Sequence, residues 1–227
     1  MYKLISIVML LLMTSWSYAN DIYVTQSGAS LDLDITQDGQ NNTVGNSSTS
    51  SASVGATTIL NIDQIGNSNV ITYQIQGATY TGVINLVGNS NNVDLNCDST
   101  GNNSSCGTAN AVINFTGNSN DIDLDIGQTS SANTADVDIV GQSGSDSNVV
   151  AATVDGNSAI LTITINGDTN NYLIDIDGNG DINGHTLIHS HTGGTADVDI
   201  VQSGINDQYI NLTTSGDNHD IDIQQTD

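Results

Sequence analysis

Apolar and polar residues alternate along most of this chain, and short glycine-bearing turns interrupt the alternation at a regular interval. From Leu60 to Leu95 the sequence reads LNIDQIGNSNVITYQIQGATYTGVINLVGNSNNVDL, with Gly66, Gly77 and Gly88 eleven residues apart. Leu60, Ile62 and Gln64 precede the first of these turns, and Asn69, Ile71, Tyr73 and Ile75 follow it. Twenty-two residues on, Gly82, Ile84 and Leu86 precede Gly88, and Asn91, Val93, Leu95 and Cys97 follow. Alternation with a period of two marks a strand with one buried face. A repeat of eleven in two variants predicts a coil of about 22 residues with two strands and two turns. The predicted fold is all-β, a two-sided β-solenoid of roughly seven to nine coils.

The same rule governs Asn20 to Val44, Ala111 to Ile126, Ala152 to Ile176 and Ile210 to Ile223. Segments near 45–56, 97–110, 127–134 and 178–194 break it and read as loop insertions into one repeat domain, 20–227. The phase of the turns assigns Gly39, Gly66, Gly88, Gly117, Gly144, Gly167 and Gly204 to one edge. Gly28, Gly77, Gly156, Gly216 and all four insertions fall on the other. Insertions in a solenoid gather on a binding side, or where turns are least constrained. The segment TADVDIVGQSG from Thr134 nearly repeats as TADVDIVQSG from Thr195, so the extra Gly141 reads as a bulge.

Ile35-x-Gln37-x-Gly39-x-x-Asn42 and Ile62-x-Gln64-x-Gly66-x-x-Asn69 resemble the curlin repeat, the unit of curli-type secreted amyloid fibres. Ile200-x-Gln202-x-Gly204 shares its first half, as does Val140-x-Gln142-x-Gly144, whose Asn148 comes one place late. The resemblance covers most of residues 20–227 by period and some coils by motif. It implies inward polar ladders, here Gln26, Gln37, Gln64, Gln142 and Gln202 with Asn42, Asn69, Asn91, Asn120 and Asn170. In other coils Leu86, Phe115 and Ile165 stand where the repeat carries Gln.

Composition narrows the partners. Lys3, an apolar run from Leu4 to Met13 and Ser17-Tyr18-Ala19 together read as a cleavable secretory signal, residues 1–19. The run is too short for a membrane span, so no integral membrane segment is expected. Beyond Lys3 there is no Lys, Arg, Glu or Pro, and the 25 acidic residues are all Asp. Phosphate recognition rests on Lys and Arg, so nucleic acid is not an expected partner. Pairs such as Asp32/Asp34, Asp121/Asp123, Asp197/Asp199 and Asp220/Asp222 occupy outward strand positions, interleaved with Asn61, Asn85, Asn114, Thr162 and Thr164. Stacked carboxylates repel, so salt, mild acid or Ca²⁺ is expected to stabilise the fold.

Asp175, Asp177, Asn179 and Asp181 resemble the opening of an EF-hand loop; they read first as an ordinary Asp-Gly turn, with a Ca²⁺ site on these four residues as the alternative. The terminal bidentate acid is missing, since Thr186 stands there. His185, His189 and His191 read as solvated loop residues, with a transition-metal pair on one strand face as the alternative. In an exported chain Cys97 and Cys106 are expected to form a disulfide. Without Lys, Arg or Glu for acid–base work, and with no nucleophile elbow, catalysis is not expected.

The expected function is a secreted structural subunit, stacking end to end with copies of itself into extracellular matrix fibres, with no required cofactor. A nucleator or an outer-membrane secretion channel are further expected partners. The alternative is a monomeric, acidic, calcium-binding adhesin or binding module that uses the loop-bearing edge.

Overall fold

The computed structural model describes residues 20–39, 41–45, 51–66, 68–88, 91–97, 108–117, 119–127, 134–142, 144–156, 158–177, 185–204 and 208–226. Seventeen strands follow one another with no helix among the described residues. The first six are β1 (Asn20–Ile22), β2 (Thr25–Ser27), β3 (Ser30–Asp38), β4 (Asn42–Val44), β5 (Ser51–Ile65) and β6 (Val70–Val87). Next come β7 (Asn92–Cys97), β8 (Thr108–Thr116), β9 (Asp121–Gly127), β10 (Thr134–Gly141), β11 (Val149–Asp155) and β12 (Ser158–Asn166). The last are β13 (Asn170–Asp177), β14 (Thr186–Thr192), β15 (Ala196–Ser203), β16 (Tyr209–Ser215) and β17 (His219–Thr226).

Every pairing is parallel and joins a strand to one a full coil away, which makes the chain a β-solenoid. One wall stacks β3, the second half of β5, the second half of β6, then β8, β10, β12, β14 and β16. The other wall stacks β1 with β2, β4 with the first half of β5, the first half of β6, then β7, β9, β11, β13, β15 and β17. We call these the first and second walls. The turn leaving each first-wall strand lies on the first edge, and the turn leaving each second-wall strand on the second edge.

The coil is longer than the repeat in the sequence suggests, about 26 residues. The 22-residue step survives where two turns are tight, as in Leu60 to Gly82 and Val150 to Tyr172. It stretches to 29 between Val83 and Val112, because ten residues separate Cys97 from Thr108 on the second edge. Spare residues are tolerated there because they leave the strand register intact, and loop closure grows only slowly with length.

Side chains alternate inward and outward along each strand, as the period of two requires. Ile35, Ile62, Ile84, Ile113, Ile139 and Ile163 form one buried column up the first wall. Burial of each such side chain contributes roughly 1.5–3 kcal/mol. Tyr80 is buried next to Gly82, where a Cβ would meet the tyrosine ring, so a large residue and a bare one share the space of two ordinary ones. Phe115 and Gly141 divide the interior in the same way one coil apart.

The structure departs from the sequence pattern in four places. Residues 51–56 of the break near 45–56 belong to β5 and stand on the second wall, not at an edge. Within the segment 178–194, Thr186–Thr192 form β14, a full rung of the first wall. Its inward positions carry His185, Leu187, His189 and His191 where other coils carry apolar residues, which hides the strand from a hydrophobic pattern. Missing that half-coil inverted the phase beyond it: Gly204 lies on the second edge, and Gly193 and Gly216 on the first. The insertions at 97–110 and 127–134 shrink, since Cys97, 108–110, Gly127 and Thr134 are strand residues. The signal segment 1–19 lies outside the described residues.

Candidate functional site: interior ladders and open rims

The first edge carries an asparagine column. Asn42, Asn69, Asn91, Asn120, Asn148 and Asn170 are all buried. The Gly-x-x-Asn spacing has a direct cause: the asparagine amide turns back and donates to the carbonyl of the glycine three residues earlier. The distances are 3.0 Å from Asn91 to Gly88, 2.6 Å from Asn120 to Gly117 and 2.8 Å from Asn170 to Gly167. The same amides reach up the stack. Asn91 Nδ2 donates to Asn120 Oδ1 at 2.5 Å, Asn120 Nδ2 to Asn148 Oδ1 at 2.7 Å, and Asn148 Nδ2 to Asn170 Oδ1 at 2.7 Å. Asn42 and Asn69 instead donate to Gln37 O and Gln64 O in their own coils and to Ile65 O and Val87 O in the next. Asn148, displaced by one residue in the motif, is a full member because the longer turn from Gln142 to Ser147 absorbs the offset.

The residue before the ladder asparagine is left-handed in this turn: Ser119, Ser147 and Thr169 have φ of 61°, 58° and 59°. That conformation is strained for a β-branched side chain. Asn218 occupies the equivalent place before His219 at 61°. Thr169→Asn, at an exposed position, is therefore expected to stabilise the protein by about 1 kcal/mol, read as a rise in Tm.

The glutamines behave less uniformly. Gln64 Nε2 donates to Gln37 Oε1 at 2.6 Å on the first wall, and Gln225 Nε2 to Gln202 Oε1 at 2.9 Å on the second. Both short ladders lie in end coils; the intervening places hold Leu86, Phe115, Gly141 and Ile165 on one wall and Cys97, Ile126, Val154 and Ile176 on the other. Gln26 sits on β2 in register with Ser53. Gln142 is not a ladder residue. Gly141 continues β10 in register with Phe115 and Ile165 instead of bulging, takes the inward place, and leaves Gln142 exposed.

The histidines are the largest departure from the sequence reading. His185, His189 and His191 are buried inside the solenoid, not solvated. His185 Nδ1 accepts from Ala159 N at 3.2 Å, and His191 Nδ1 lies 2.9 Å from the Tyr172 hydroxyl. The His189 ring meets Tyr172 edge-on at 4.4 Å, and His191 meets His219 at 5.3 Å. Neither nitrogen of His189 has a hydrogen-bond partner. Burial disfavours its charged form and the neighbouring His191 adds to this, pushing its pKa down to about 4. Desolvation also lowers His185 and His191, with Asp177 and Asp168 respectively opposing.

Outward residues set the electrostatics. On the first wall amides interleave the acids: Asn61 donates to Asp34 at 2.8 Å, Asn85 to Asp63 at 2.6 Å, and Asn114 to Asn85 at 2.8 Å. On the second wall acids stack directly, pairing Asp94 with Asp123, Asp155 with Asp177, Asp197 with Asp220 and Asp199 with Asp222. Burial, then Asp123, raises the Asp94 pKa, and burial, then Asp177, raises that of Asp175. Asp199→Asn is expected to place an amide beside the Asp222 carboxylate, raise stability by about 1 kcal/mol at low salt, and flatten the rise of Tm with added NaCl.

Of the candidate calcium ligands, Asp175 and Asp177 are outward residues of β13, while Asn179 and Asp181 lie outside the described residues. No group of three or more His, Cys, Asp or Glu that could hold a metal is found among the described residues. Cys97 is buried at the end of β7, and Cys106 lies outside the described residues. Among the described residues no helix is long and apolar enough to cross a membrane.

Among the described residues, each end of the stack has a strand with a neighbour on one side only: β3 pairs only with β5, β16 only with β14, and β17 only with β15. Ile221 and Ile223 occupy core columns yet are 37% and 47% exposed, because no rung follows them. Comparison with protein-family models, with curated proteins and with solved structures finds no match for this chain.

Proposed function

We propose that this chain is a secreted structural subunit that polymerises end to end, by β-strand pairing between its two rims, into extracellular curli-like fibres. The observation that supports the reading most is that no described strand covers either rim, since unpaired strand edges over an apolar interior are templates for another chain. The curlin-type Gln and Asn ladders and the parallel in-register stacking agree with it. Acidic outer walls oppose lateral clumping and leave the axial direction open. A disulfide between Cys97 and Cys106 would close the longest second-edge connection in the oxidising environment outside the cell.

A monomeric binding module using the second edge is the competing reading, favoured by the clustering of long connections there. Thioflavin fluorescence and electron microscopy of residues 20–227 separate the two. Seedable fibres with strands perpendicular to the axis support the subunit; a monomer that stays monodisperse under seeding and agitation overturns it.

A further inference from the structure

The two walls hold unequal numbers of rungs. The first has eight and the second nine, because the chain both enters and leaves the described solenoid on the second wall. The stack therefore contains an odd number of half-coils. A copy placed on top in the same orientation would lay its β1 and β2 over β17. Its β3 would then stand two rungs above β16, leaving one rung of the first wall empty. Lowering the copy to close that gap would drive its second-wall strand into β17.

Turning the incoming copy by half a revolution about the long axis removes the conflict. Its β1 and β2 then follow β16, its β3 follows β17, and every rung is filled. We propose that successive subunits stack with this half-turn, so that Ser30–Asp38 of each copy pairs with His219–Thr226 of the copy before it. The proposal rests on the self-assembly reading and adds the partner surface and its register.

The side chains at the two rims match in this arrangement. The eleven-residue repeat aligns Leu33 with Ile221 and Ile35 with Ile223, covering the two isoleucines left exposed at the end of the core. It also aligns Gln37 with Gln225, joining the two separate glutamine ladders into a single run of four across the junction. The polarity agrees: in both ladders the amide nitrogen of the later rung donates to the amide oxygen of the earlier one. Outside, Asp34 meets Asp222, extending the Asp199–Asp222 stack. Neutralising these carboxylates with divalent cations should therefore speed assembly more than it affects the monomer.

Paired cysteines test the register. Strands about 4.8 Å apart lie within disulfide reach. Mild oxidation of fibres of the double variant Asp34→Cys/Asp222→Cys should give a covalent ladder on non-reducing gels. The variant Tyr23→Cys/Asp222→Cys, which same-orientation stacking would join, should stay monomeric. Wild-type fibres provide an independent reading: helical reconstruction should show adjacent subunits rotated by half a turn beyond the intrinsic solenoid twist, with a rise of roughly 41 Å for eight and a half rungs. Fibres without that rotation, or a ladder from the Tyr23 variant alone, overturn the half-turn and leave the self-assembly reading standing. Failure of the wild type to form fibres overturns both.

Discussion

Asn120→Leu is expected to destabilise the solenoid by about 3 kcal/mol or more, far beyond the effect of a typical single substitution. Leucine nearly matches asparagine in length, so the loss is one of hydrogen bonds and not of volume. Three groups lose partners at once. The Gly117 carbonyl loses a donor at 2.6 Å, Asn148 Oδ1 loses the Asn120 side-chain amide at 2.7 Å, and Asn91 Nδ2 loses its acceptor in the next coil. Asn91 and Asn148 are buried and the Gly117 carbonyl partly so, and an unsatisfied buried polar group costs about 1–3 kcal/mol. Asn92→Ala, one residue from the ladder but facing outward with a 3.4 Å contact to Asp121, should cost under about 0.5 kcal/mol. Urea unfolding of both variants measures the difference, and equal costs would mean that the column is decorative.

The second large effect is a loss of stability in mild acid, opposite in sign to the expectation from the carboxylates alone. His189 has its folded pKa pushed down to about 4, below its ordinary value of 6.5. The unfolded chain thus takes up a proton first as pH falls through 6.5, and stability drops from there until the folded state also protonates near pH 4. The contribution of His189 alone is on the order of 3 kcal/mol, and His185 and His191 act in the same direction. Asp94 and Asp175 oppose it, because a raised folded pKa adds stability as pH falls, but only as the medium approaches the carboxylate range. Tm should therefore fall between pH 7 and pH 5. His189→Ile restores the residue found in the six preceding coils of that column. It should raise Tm at pH 7 and flatten most of the acid dependence. A Tm that rises steadily on acidification would show that the acidic walls dominate.

How far the fold could be read from the sequence follows from the same residues. Most strands of the first six coils were legible because Ile, Leu and Val mark most inward places and Gly-x-x-Asn marks the turns at Gly39, Gly66, Gly88, Gly117 and Gly167, both being local signals. β14 was not legible, since its inward places hold His185, His189 and His191, residues that resemble a solvated loop until a neighbouring wall is known to cover them. That single omission displaced the edge assignment of Gly204 and Gly216. Gln142 failed for a related reason. The motif around it matches the curlin pattern, but strand register against Phe115 and Ile165, a relation between distant residues, gives the inward place to Gly141. The asparagine column was almost fully visible, and the one member set off by a residue, Asn148, joined it because turn length can vary without moving the rung.

The pairing of one rim with the other is tested most directly by blocking a rim without unfolding the coil. Ile223→Pro removes a backbone donor from β17, the terminal strand, whose sole described neighbour is β15; proline is tolerated on an edge strand but blocks pairing on its open side. Sedimentation and electron microscopy of residues 20–227 with and without this change, at matched concentration and with circular dichroism to verify the fold, give the comparison. The expected result is long fibres from the wild type, and from the proline variant a folded species that neither elongates nor accepts wild-type subunits at that rim. Equal polymerisation of the two, or a wild type that remains monomeric when seeded, would contradict it.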